Sequence, residues 1–118
     1  MRTQTSAVVG VLLVGSTAFA AEHMAPSDIQ AAFFNAQPFT ASTPGGIHFK
    51  MVFTPDGKMT REPLGPSGHK GRGTWKLDAT GFCTSWARAN ATCFTVIPSG
   101  KNKWSVKRGA NVVATWTK

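Results

Sequence analysis

The sequence predicts a mainly β protein: a small antiparallel β-barrel or coiled meander sheet of about seven strands with one N-terminal helix. Three observations carry this expectation. Short segments of alternating apolar and polar residues, separated by turn residues, run from Ile47 to the C-terminus. Two cysteines, an aromatic pair and a turn within residues 73–98 all fit one strand register. Only residues 26–35 carry apolar side chains at helical spacing.

Residues 1–20 read as an export signal. Arg2 supplies the positive start, Ala7–Gly15 the apolar run, and Ala18-Phe19-Ala20 the small-residue cleavage site. The run is shorter than the roughly 18 apolar residues that a membrane-spanning helix needs. Cleavage near Ala20 would leave about 98 residues beginning at Ala21, enough for one domain with a modest core. The expected destination is periplasmic or secreted, where an oxidising environment lets Cys83 and Cys93 pair.

Residues 21–46 are expected to form a helix and a linker. Ser27 and Gln30 have the spacing of a capping box. Ile29, Ala32, Phe33 and Ala36 form one stripe, suited to plugging an end of the sheet or covering an edge. Residues 39–46, FTASTPGG, read as the linker.

Residues 47–118 are the expected antiparallel β domain. In 47–53, Ile47, Phe49, Met51 and Phe53 share a face. Thr54-Pro55-Asp56-Gly57 is a hairpin signal, with proline at the second turn position. In the return strand, 59–62, an inward Met59 leaves Lys58, Thr60 and Glu62 to solvent. Residues 63–72, PLGPSGHKGR, read as a flexible crossover. A strand over 73–78 follows, with Trp75 and Leu77 on one face, and then a turn over 78–81.

The next two strands set the register. In 82–86, Phe82, Thr84 and Trp86 share one face and Cys83 and Ser85 the other. In 93–97, Cys93, Thr95 and Ile97 stand opposite Phe94 and Val96. Placing Cys83 across from Cys93 puts Phe82 across from Phe94, so both apolar faces coincide. The turn would centre on Arg88, with Asn90 as its left-handed residue. The spacing is not CxxC and no third thiol exists, which favours a structural disulfide over a redox or metal site. Strands over 103–107 and 112–117 close the chain, the last with Val112, Ala114 and Trp116 on one face. A sheet of this size with one apolar face must curl or close to bury it, and a two-sheet sandwich is the alternative.

The chemistry available is sparse. The chain has no GxSxG, HExxH or paired carboxylates, and His48, His69 and Glu62 are scattered, so no catalytic residue is assigned. No ligand cluster points to a metal, and no cofactor is expected. Without Arg2, twelve Lys/Arg face five Asp/Glu, a formal +7. Lys70, Arg72, Lys101, Lys103, Lys107 and Arg108 gather in sequence around two loops and are the candidate anion-binding residues. Trp75, Trp86, Trp104 and Trp116 are expected on the apolar face, as core or as pocket lining.

The pattern Gly73-Thr-Trp75, Gly81-Phe-Cys83-Thr-Ser-Trp86, Cys93-Phe-Thr-Val96 and Val113-Ala-Thr-Trp116 resembles small exported alphaproteobacterial domains of unknown function, over residues 45–118. The resemblance implies an exported β domain and no catalytic residues. The expected function is non-enzymatic binding of a protein partner or a small ligand. The alternatives are a cationic binder of anionic envelope polymers or nucleic acid, and an inhibitor of an extracytoplasmic hydrolase. If the cysteines pair, Cys83→Ser will lower the melting temperature of the oxidised protein by several degrees, on the order of 2–3 kcal/mol. An unchanged melting curve would show that they do not.

Overall fold

The computed structural model describes residues 22–118, and the expected export signal over 1–20 lies outside them. One helix, α1 (Pro26–Phe33), precedes eight strands among the described residues. These are β1 (Phe39–Ser42), β2 (His48–Thr54), β3 (Lys58–Pro63), β4 (Gly71–Leu77), β5 (Phe82–Trp86), β6 (Thr92–Gly100), β7 (Lys103–Arg108) and β8 (Asn111–Thr117). Each strand pairs antiparallel with the next, and β1 pairs with β8 to close the barrel. The mainly β class and the N-terminal helix are as predicted, and the sheet is closed with one strand more than counted.

The added strand is β1, which lies in the segment expected as a linker. Its burial alternates, with Phe39 and Ala41 inside. Four alternating residues next to Thr43-Pro44-Gly45-Gly46 are a weak sequence signal, but their topological effect is large. β1 bonds β2 on one side and β8 on the other, which removes both open edges of the meander. The β domain therefore starts at Phe39 rather than at residue 47.

α1 differs from expectation at both ends. It stops at Phe33, and no capping box forms: Ala25 is the N-cap, in an extended conformation and without a side-chain cap bond. Pro26 takes the first helical position, where its fixed φ and missing N–H cost nothing, and this draws Ser27 inside the helix. Beyond the helix, Ala36 adopts a left-handed φ of 72°, and its N–H donates to the Phe53 carbonyl at 2.8 Å. Ala36 is thus exposed rather than on the buried stripe, while Phe34, off that stripe, is 1 % exposed.

The helix plugs one end of the barrel. Phe34 stacks on Phe53, with centroids 4.5 Å apart, and lies 4.5 Å from Trp75 and 5.3 Å from Phe82. Phe33 meets Phe39, Trp104 and Trp116 edge-on at 4.8–5.0 Å. Both flanks of the chain fasten this plug. The Met24 N–H donates to the Val96 carbonyl at 2.7 Å, and Lys118 Nζ donates to the Ala32 carbonyl at 2.6 Å while lying over the Phe33 ring.

The expected register of the disulfide hairpin holds: Phe82 pairs with Phe94, Cys83 with Cys93 and Thr84 with Thr92, and the disulfide is formed. Its turn differs, because Ala87 rather than Asn90 is left-handed, with φ 47°. The Ala87 N–H donates to the Arg72 carbonyl at 3.1 Å, which bends the chain toward β4 before the turn is made. The Thr54–Lys58 hairpin forms as read, with Gly57 at φ 89° and its N–H on the Thr54 carbonyl. Met59 is buried there and Lys58, Thr60 and Glu62 face solvent.

In β8 the inward set shifts. Val106 pairs with Ala114 but Lys107 pairs with Val112, so Val113 forms a bulge. Val112, expected inside, is therefore 46 % exposed.

β4 and β5 approach closely at Gly73, where a Cβ would stand 2.2 Å from the Ser85 carbonyl oxygen and 2.9 Å from the Met59 methyl. Two stability outcomes follow, both measurable by denaturant unfolding. Phe34→Ala is expected to cost about 3–5 kcal/mol by emptying the centre of the aromatic cluster. Gly73→Ala is expected to cost about 1–3 kcal/mol, because backbone rather than a flexible side chain must give way.

Candidate functional site

The two ends of the barrel are unlike. At the plug end the inward side chains are large: Phe39, Phe53, Phe82 and Trp116 surround the helix. Toward the other end, where β1, β3, β5 and β7 finish, the inner wall carries smaller residues, among them Ala41, Thr84, Thr92 and Ala114. Less side-chain volume inside the same ring of strands leaves a cavity of about 350 Å³. Its floor is formed by Phe53, Phe82 and Trp116, which on the plug side contact Phe34. Phe49, Met51, Phe94 and Val106 line its walls.

Two arginines belong to this mouth. Alternation in β3 turns Met59 and Arg61 to the same side, and Arg61 is half-buried. Its guanidinium lies 4.6 Å from the Trp86 ring centroid and 5.0 Å from that of Phe49. Its Nε donates to the His69 carbonyl at 3.2 Å. The facing residue across the β3–β4 ladder is Gly71, where a Cβ would stand 3.2 Å from Nε and 3.4 Å from the Trp86 ring. A side chain there would crowd both groups. Arg108, at the end of β7, completes the charged lining.

Among the described residues neither arginine has a carboxylate within ion-pair distance. The ion pairs present are Lys50–Glu62 at 3.2 Å and Lys58–Asp56 at 4.0 Å, both exposed. The Thr54 hydroxyl donates to Asp56 and holds its carboxyl below the usual range. The Asp28, Asp56 and Asp78 carboxylates belong to α1 and to the β2–β3 and β4–β5 turns, all at the plug end. Glu62 is an outer-wall residue of β3. The open mouth is therefore cationic, with no carboxylate in its lining.

The structure divides the six sequence candidates. β7 runs the height of the barrel, so Lys101 and Lys103 stand at the plug end and Lys107 and Arg108 at the open end. Lys70 and Arg72 border a shallow outer-wall depression of about 470 Å³ with Lys50, Thr60 and Glu62, and Arg61 reaches this depression as well as the mouth. Of the six, Arg108 alone lines the barrel cavity. Arg61 is not among the sequence candidates, because alternation assigns it only to the return strand over 59–62. The signal was its placement two residues from the inward Met59.

Other groups have structural work. Asp78, Cys83 and Cys93 bring ligand-type atoms within 4.8 Å of one another. Both sulfurs are in the disulfide, however, and Asp78 Oδ1 accepts from the Thr80 and Gly81 N–H groups at 3.0 and 2.7 Å, capping its turn. His48 Nδ1 bonds the Ser42 hydroxyl at 2.7 Å, and Glu62 pairs with Lys50. Trp116 is buried, and Trp75, Trp86 and Trp104 are partly buried against the core. Trp86 and Trp116 line the cavity, whereas Trp75 donates its Nε1–H to the Thr54 carbonyl at 2.9 Å.

No protein-family model matches the chain, and neither a curated protein nor a solved structure matches it.

Proposed function

We propose that this protein is an exported, non-enzymatic barrel that takes a small ligand into its open mouth. The observation that carries the reading is the cavity itself: about 350 Å³, floored by three aromatic rings and stopped at one end by a helix. That volume falls within the roughly 300–1,000 Å³ range of small-molecule sites. A barrel plugged at one end is a cup, and its packed floor gives a guest a fixed apolar surface.

Export is supported by the disulfide, which suits an oxidising compartment, and by the signal-like residues 1–20. No described helix is long and apolar enough to cross a membrane. Binding of an anionic polymer, the other use of the charge, would be favoured by cations gathered on one surface. Lys101 and Lys103 stand at the opposite end from Lys107 and Arg108, which weakens that reading.

The test is a small-molecule library titrated against intrinsic tryptophan fluorescence, with hits mapped by amide and side-chain NMR shifts. Hits are expected to move Trp86, Phe49 and Phe94 and to bind with one-to-one stoichiometry. Ala114→Phe, which fills the cavity, is expected to abolish binding while the folded circular-dichroism spectrum remains. Full binding by a folded Ala114→Phe protein would overturn the reading.

A further inference from the structure

We propose that the ligand is an anionic amphiphile, an apolar chain or ring system ending in a carboxylate or similar acid, with its head held by Arg61 at the mouth. The inference rests on the reading of the cavity as a ligand site and adds the chemistry of the guest.

Arg61 is committed to an unusual degree for a residue without a counter-charge. Its guanidinium lies near the rings of Trp86 and Phe49, and its Nε bonds a backbone carbonyl. Ring contacts on a planar guanidinium restrict it while leaving its edge free for hydrogen bonding. Among the described residues its two Nη groups have no protein acceptor. A half-buried cation with free donors at the lip of an apolar cavity matches an acid group joined to an apolar body. A carboxylate there can take two parallel, charge-assisted bonds from one guanidinium. Its hydrocarbon part then lies over Phe53, Phe82 and Trp116.

Three further features agree. Arg108 lines the same mouth, giving a second cation in reach of the opening. Thr43, Thr84 and Thr92 supply hydroxyls in the lining, with Thr84 buried. Arg61 and Arg108 put positive charge at the mouth with no carboxylate in the lining, a local potential that favours a negative head group there. A cationic guest would meet two arginines and no carboxylate in the lining, and a neutral guest would leave the Arg61 donors unanswered.

The experiment uses isothermal titration of the purified protein with three probes sharing one chain: decanoate and decyltrimethylammonium below their micelle concentrations, and decanol below its solubility limit. Decanoate is expected to bind one-to-one and at least about tenfold tighter than decanol, the span of one charge-assisted bond. The ammonium is expected not to bind. Arg61→Met, which keeps an apolar stem, is expected to remove the preference for decanoate over decanol. Lys76→Gln, which removes an outer-wall charge of β4, is expected to leave it intact. Equal binding of decanoate and decanol would overturn the inference while leaving the cavity reading standing. An equal loss in Lys76→Gln and Arg61→Met would also overturn it, by placing the acid on the general cationic surface. No binding of any probe, together with no hit from the library, would sink the cavity reading itself. If Arg61→Met fails to fold, the wild-type head-group series decides, supported by decanoate-induced shifts of the Trp86 indole N–H. A shift confined to Lys103 and its neighbours would count against the proposal.

Discussion

The stack of Phe34 on Phe53, continued to Trp75 and Phe82, is the contact on which the rest of the structure depends. An eight-stranded barrel has an interior that side chains can just fill or that can hold one small guest, so what packs each end decides how much space is left. Here one short helix and its C-cap residue supply three fully buried side chains, Ile29, Phe33 and Phe34, to a single end. An eight-residue helix is marginal by itself, so packing holds it in place rather than propensity. The helix and the barrel end are therefore one cooperative unit. The rings that hold the plug also form the floor of the opposite cavity, which ties the shape of the site to the stability of the fold.

Closure and coiling come from local irregularities. The bulge at Val113 lets β8 change its inward set between Ala114 and Val112. Close approach at Gly73 lets β5 lean onto β4, and Gly71 leaves room for Arg61 beside Trp86. These positions determine where side-chain volume is missing inside the ring. The disulfide between directly opposed residues of β5 and β6 ties together two strands whose connecting turn is drawn toward β4. The cross-link thus secures the part of the wall that carries Trp86 and Phe94 into the cavity.

Charge is one-signed in the cavity lining and mixed at the plug end. The plug end carries Asp28, Asp56 and Asp78 in helix and turn roles together with lysines such as Lys101, Lys103 and Lys118, while the lining of the mouth has arginines and no acid. Exposed pairs such as Lys50–Glu62 contribute little to stability.

Alternation, the turn residues and the two cysteines determined the β class, the facing of β2 and β3, and the Phe82–Phe94 register. Each of these is set by period-two side-chain direction or by turn chemistry acting over a few residues. Tertiary structure decided what those local rules do not reach. β1 is a strand because β2 and β8 offer it hydrogen bonds on both sides, and the four-residue alternation of FTAS is too short to announce that alone. Phe34 is buried because the helix ends before Ala36 and the chain turns into the barrel. The six sequence-clustered cations are divided because strands carry neighbours in sequence to opposite ends. Arg61 and Arg108 share a mouth across 47 positions of chain because closure brings the ends of β3 and β7 around one opening. The candidate site is made of long-range neighbours, and their proximity exists only once the ring is shut.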